Sequence, residues 1–120
     1  MPDTLPPRCL PGIAGRARTE AGLALDLDLA PAAGWFAGHF PGCPILPGVV
    51  QVDWALELAA RELGLGSLAV AGMQVKFKAP IRPGDRLSLR LDHCPEQGRL
   101  GFEYRRDGEI CASGRIALAP

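Results

Sequence analysis

Aromatic side chains make up only 6% of the 120 positions, histidine occurs twice and tyrosine once, and charge of neither sign is in excess. The 13 Lys and Arg are balanced by 13 Asp and Glu, and no basic stripe with interleaved aromatics appears, which argues against a nucleic-acid surface. The four cysteines, Cys9, Cys43, Cys94 and Cys111, form no CxxC pair and no cluster with histidine at zinc-ligand spacing. Neither a metal site nor a redox motif is favoured. No apolar run approaches the roughly 20 residues of a membrane helix, and MPDTLPPRCLPG lacks the basic-then-apolar pattern of a signal peptide. The expectation is a cytoplasmic, reduced protein with no nucleic-acid or membrane partner.

What is present is an ordinary globular composition, 48% hydrophobic and 22% charged, at a length that normally makes one domain. Residues 1–11, with Pro2, Pro6, Pro7 and Pro11, read as an irregular arm, and residues 12–120 as a single domain. From Ile13 to Leu29 the pattern is that of two strands. Leu23, Leu25, Leu27 and Leu29 alternate with Asp26 and Asp28, the period-two signature of a half-buried strand.

Residues 30–48 are crowded with Pro and Gly and exclude helix or central strand. They also carry Trp35, Phe36, Phe40, Ile45 and Leu46, so a stiff anchored loop is expected, and such loops often carry function. Val49 to Leu63 reads as a helix, apolar nearly all round and therefore buried, with Gly64 as its C-terminal cap. Glu57 and Arg61 are spaced for an i, i+4 ion pair. Four strand-like segments follow, at about 68–79, 86–94, 100–105 and 110–118, parted by turn signals at Pro80, Pro83-Gly84, 95–98 and Asp107-Gly108. An α+β fold follows, an antiparallel β-sheet wrapped around one central helix.

The most informative stretch is Gly38 to Glu57, GHFPGCPILPGVVQVDWALE. It resembles the active-site segment of the hot-dog-fold 3-hydroxyacyl-ACP dehydratases: a GHF(P)GxP loop, a second Pro-Gly, and a carboxylate fourteen positions after the histidine. His39 and Asp53 stand in that register. VKFKAPIRPGDRL (residues 75–87) is also similar to that family's strand-turn-strand segment, and the resemblance covers roughly residues 12–118. PILPGVVQVDWA looks nearest to the small dehydratases of aryl-polyene clusters, which keep Asp-Trp at the carboxylate position. Glu57 departs from the Gln common in the fatty-acid enzymes.

The resemblance implies a hot-dog fold and the elimination of water from a 3-hydroxyacyl thioester to a trans-2-enoyl thioester. His39 would be the base at C2, since an imidazole titrates near neutrality. Asp53 would serve the departing C3 hydroxyl, and the Gly48 backbone N–H at the helix start would face the charge building on the thioester oxygen. Phe40, Pro47, Val49 and Trp54 are candidate pocket residues, Trp54 having core packing as its other reading.

The helix dipole favours an ionised Asp53 whereas burial favours a protonated one, and at this level both stay open. The implied partners are an acyl-ACP or acyl-CoA substrate, an acyl carrier protein, and a second hot-dog subunit, identical or different, with His39 and Asp53 meeting across the interface. No cofactor is implied beyond the phosphopantetheine or CoA that carries the substrate. Two other functions fit the same fold: an acyl thioesterase, and a catalytically silent partner subunit of a heterodimer.

Overall fold

A computed structural model of the protein describes residues 10–29, 46–66, 68–82 and 84–119. In chain order they form β1 (Gly12–Arg18), β2 (Gly22–Asp28), α1 (Gly48–Glu62), β3 (Val70–Phe77), β4 (Leu87–Cys94), β5 (Arg99–Arg106) and β6 (Glu109–Leu118). The hairpin, the helix and the four later strands occur in the order the sequence implies. Of the proposed N-terminal arm, residues 1–9 lie outside the described residues.

All six strands pair antiparallel in one sheet, in the order β1-β2-β4-β5-β6-β3. Because side chains alternate across a pleated sheet, the register stacks apolar residues in rows on one face. One row runs Leu25, Leu89, Tyr104, Ala112 and Phe77, and another runs Leu23, Leu91, Phe102, Gly114 and Val75. Helix α1 lies against this face and contributes Val50, Trp54, Ala55, Leu58 and Ala59 to the same buried cluster.

Local chemistry ends each element where the sequence indicates. After Glu62 the chain closes with Leu65 N–H donating to Ala60 C=O at 3.0 Å and Leu63 N–H to Ala59 C=O at 3.0 Å. This Schellman arrangement requires a left-handed residue at Gly64, whose φ is +68°. Asp107 and Gly108, both at positive φ, turn β5 into β6. Arg16 on β1 ties down the helix end through Glu62 at 2.6 Å.

One expectation is corrected. The helix is not buried all round: Val49 is 67% exposed, Asp53 is exposed, and Val52, Leu56 and Glu57 are only half-buried. One stripe of it is uncovered by this chain's described residues. The helix also buries a polar side chain, Gln51. Strand β3 also differs from its neighbours. It is one of the sheet's two edges, β1 being the other, and it leaves Val70, Met73 and Phe77 exposed.

Candidate active site

Helix α1 begins without a side-chain cap; Pro47 is its N-cap residue and the first turn holds no acidic side chain. Val50 and Gln51 N–H both donate to Pro47 C=O, at 3.1 and 3.2 Å. The N–H groups of Gly48 and Val49 have no acceptor among the described residues, as the first turn of a helix dictates. They form a small positive terminus where developing negative charge is favoured.

The Phe77 ring lies over this terminus. A Cβ built at residue 48 would stand 2.7 Å from Phe77 Cζ, so only glycine lets the ring and the helix start approach this closely. Strand β3 reaches the helix through an inward-facing row position, and the sequence alone did not single out Phe77.

Asp53 lies five residues along from Gly48, about 7.5 Å up the helix axis. It shares the open stripe with Val49, Glu57 and Arg61, and Arg61 Nε reaches Glu57 Oε2 at 3.1 Å, the expected i, i+4 pair. The Asp53 carboxyl is pushed above the ordinary carboxylate value, first by partial burial and then by the negative charge of Glu57. The residue has exposed area on its solvent side, so desolvation acts from its packed side only.

Behind Asp53 the first turn is clamped from within. The buried Tyr104 O–H donates to Gln51 C=O at 2.6 Å, and burial, followed by the charge of Asp53, drives its pKa well above the usual phenol value. Gln51 Nε2 donates to Leu46 C=O at 3.2 Å, and Leu46 N–H donates to Ile81 C=O at 2.8 Å. Gln51 Oε1 has no hydrogen-bond partner among the described residues. This chain of contacts joins β5, the helix start and the segment entering it. Neither Tyr104 nor Gln51 was singled out, although Tyr104 follows Leu100 and Phe102 at the period of an inward strand face.

The candidate residues therefore divide. Pro47, Gly48, Val49 and Asp53 lie together along the start and open stripe of α1. Trp54 points into the core and is 1% exposed, which favours packing over pocket lining. His39 and Phe40 lie outside the described residues, as does Cys43. Among the described cysteines, Cys94 is half-buried and Cys111 buried, and burial raises the Cys111 thiol, the opposite of what activates a nucleophile. No group of three or more His, Cys, Asp or Glu among the described residues could hold a metal ion. Three grooves of about 770, 590 and 400 Å³ are lined by residues other than Gly48 and Asp53.

Comparison with known proteins bears directly on this arrangement. A sequence model of the ApeI-like family, described as ApeI dehydratase, matches residues 16–115. The dehydratase heterocomplex ApeI:P from Xenorhabdus doucetiae contains a chain that superposes with a TM-score of 0.82 at 33% identity, over 92% of this chain and 98% of that one. The 3-hydroxyacyl-(acyl-carrier-protein) dehydratase FabZ of Erythrobacter litoralis is 36% identical over 63% of this chain and 56% of its own length. That of Thermomicrobium roseum is 36% identical over 71% and 64%. The matched region thus spans less than two-thirds of these two curated relatives.

Proposed function

This chain belongs to the ApeI-like dehydratase family, and from that premise we propose that it removes water from a 3-hydroxyacyl thioester carried on an acyl carrier protein, giving the trans-2-enoyl thioester. The observation that carries the reading is the pairing on α1 of two N–H groups, at Gly48 and Val49, that have no acceptor among the described residues with a carboxyl of raised pKa at Asp53. One feature suits the charge that develops on a thioester oxygen, the other a poor leaving group that must depart protonated.

In this mechanism His39 takes the C2 proton as a neutral imidazole. The electrons released pass toward the thioester oxygen, held by the Gly48 N–H. Asp53, protonated, gives its proton to the C3 hydroxyl, and the C–O bond breaks to release water. His39 is left protonated and Asp53 ionised; transfer of one proton between them restores both. The raised affinity of Asp53 for its proton supports the role of direct donor over that of an ionised residue orienting a water. The reaction needs no cofactor of the protein's own, since the carrier's phosphopantetheine holds the substrate.

The reading includes a second hot-dog subunit and a cytoplasmic site of action. Strand β3 is an unpaired edge with three exposed apolar side chains, and a lone chain would leave such an edge as a liability. Pairing it with the β3 of another subunit, identical or related, would cover Met73 and Phe77 and bring the partner's loop toward the open stripe of α1. The ApeI:P relative is itself a heterocomplex.

The test is turnover of a 3-hydroxyacyl thioester to the enoyl product by wild type and His39→Ala, with and without a second dehydratase subunit. Loss of activity on the order of 10²–10⁴ in the variant is expected. Equal turnover by both proteins would remove the mechanism, and release of free thiol from a saturated acyl thioester would replace it with thioester hydrolysis.

A further inference from the structure

Helix α1 starts without a side-chain cap, and the reaction described above has a use for that. A Ser, Thr, Asp or Asn at the N-cap would accept from the second or third N–H of the helix, and the second belongs to Val49. Such a cap would fix the terminus and also cover it with an acceptor where negative charge is to develop. The helix start therefore has to be held by groups that leave its first N–H groups open.

The inner side of the first turn supplies them. Gln51 lies two residues from Asp53, about 200° round the helix, and is 4% exposed where Asp53 is open. Its backbone C=O accepts from Tyr104 O–H at 2.6 Å, and its Nε2 donates to Leu46 C=O at 3.2 Å. Leu46 N–H donates to Ile81 C=O at 2.8 Å. Next to Ile81, Pro80 C=O accepts from Arg106 Nη1 at 2.7 Å, and the same nitrogen reaches Asp85 Oδ2 at 3.1 Å. Tyr104 and Arg106 both belong to β5. The contacts thus close a circuit that leaves β5, passes through the helix start and returns to β5.

Packing alone does not account for Gln51. Its Oε1 has no hydrogen-bond partner among the described residues, and a buried acceptor left in that state disfavours folding. Methionine would fill a similar volume without a polar atom.

Resting on the dehydratase reading above, we propose that Gln51 is a positioning residue for the dehydration. It holds the uncapped first turn of α1 from within, so that the Gly48 N–H and the Asp53 carboxyl keep their places relative to the bound thioester. Gln51 faces away from Asp53 and touches no reacting atom; it acts through the backbone of residues 46–51. Tyr104 holds the same turn through the Gln51 C=O, so the two side chains form one support.

The test compares wild type with Gln51→Met, Tyr104→Phe and the double variant, with a second dehydratase subunit present if turnover requires one. For Gln51→Met, kcat on a 3-hydroxyacyl thioester should fall about tenfold or more, since a misplacement of about 1 Å can cost on the order of 10², with KM little changed. The denaturant midpoint should stay close to that of wild type, because the lost hydrogen bond is offset by removal of the unpartnered acceptor. Tyr104→Phe should lower kcat in the same way, and the double variant should lose less than the product of the two single losses. A Met variant with wild-type kcat, or one whose midpoint falls in step with its activity, would overturn the proposal. If that variant does not fold, an unchanged kcat in Tyr104→Phe overturns it.

Amide hydrogen exchange separates this from the catalytic reading. In Gln51→Met, protection of the Leu46 N–H should drop while that of β4 and β5 is kept. Unchanged protection at Leu46 would overturn the positioning role whether or not any thioester is turned over. Lost protection at Leu46, together with a wild type that dehydrates no 3-hydroxyacyl thioester alone or with a second subunit, would sink the dehydratase reading and leave the support of the helix start standing.

Discussion

The two sides of helix α1 differ in composition and do opposite things. On the inner side Val50, Trp54, Leu58 and the small Ala55 and Ala59 are buried against the sheet. On the outer side Val49, Asp53, Glu57 and Arg61 run along an uncovered stripe. The inner side obtains its stability from apolar area removed from water. The outer side keeps a carboxyl partly desolvated and a helix terminus uncapped, both unfavourable for stability and both useful for chemistry. One element thus carries the core and the candidate site, and its orientation on the sheet decides which side chain serves which.

Substitutions on the two sides should therefore separate stability from turnover. The largest effect on folding is expected from Trp54→Ala, which empties a fully buried site; chemical denaturation should show a loss of about 3–5 kcal/mol.

Asp53→Asn should do the reverse. Dehydration should fall on the order of 10²–10⁴, while thermal stability at neutral pH rises. The sign follows from the direction of the shift. A carboxyl whose folded pKa lies above its unfolded value favours the fold when protonated, and that contribution is lost as pH rises through the folded pKa. The gain from Asp53→Asn should therefore shrink on acidification and vanish below the unfolded pKa. A melting temperature for the variant that is lower at pH 7 than at pH 4, relative to wild type, would contradict this.

Tyr104→Phe tests the clamp between the sides. It removes the O–H donated to Gln51 C=O, and a loss of about 0.5–1.5 kcal/mol in denaturant unfolding is expected. The smallest effect belongs to Glu57→Gln. Removing the charge that helps raise the Asp53 pKa should move the limb of the pH–rate profile that belongs to Asp53 to lower pH.

The same contrast explains which features were legible in the sequence. Strand and helix order could be read because the signals are local: leucines alternating with aspartates over 23–29, Gly64 after the helix, Asp107-Gly108 between two strands. The correspondence of His39, Gly48 and Asp53 with a family motif was also legible, since spacing along the chain is all it requires. The edge position of β3 was not. Met73, Val75 and Phe77 alternate like the inward residues of any central strand, and only the pairing order shows that nothing described lies beyond them. Gln51 and Tyr104 escaped notice because a buried polar contact between residues 53 positions apart leaves no mark in either local pattern.

Chain order, turn positions, the composition of the helix and the family to which the chain belongs were thus determined by the sequence alone, because each depends on neighbours within a few residues or on a motif of fixed spacing. Which side of an apolar helix stays open, which strand is left as an edge, and in which direction the Asp53 pKa is pushed were decided only by the tertiary structure. Burial and desolvation depend on what packs against a residue in space, and residues that meet in space need not be near along the chain.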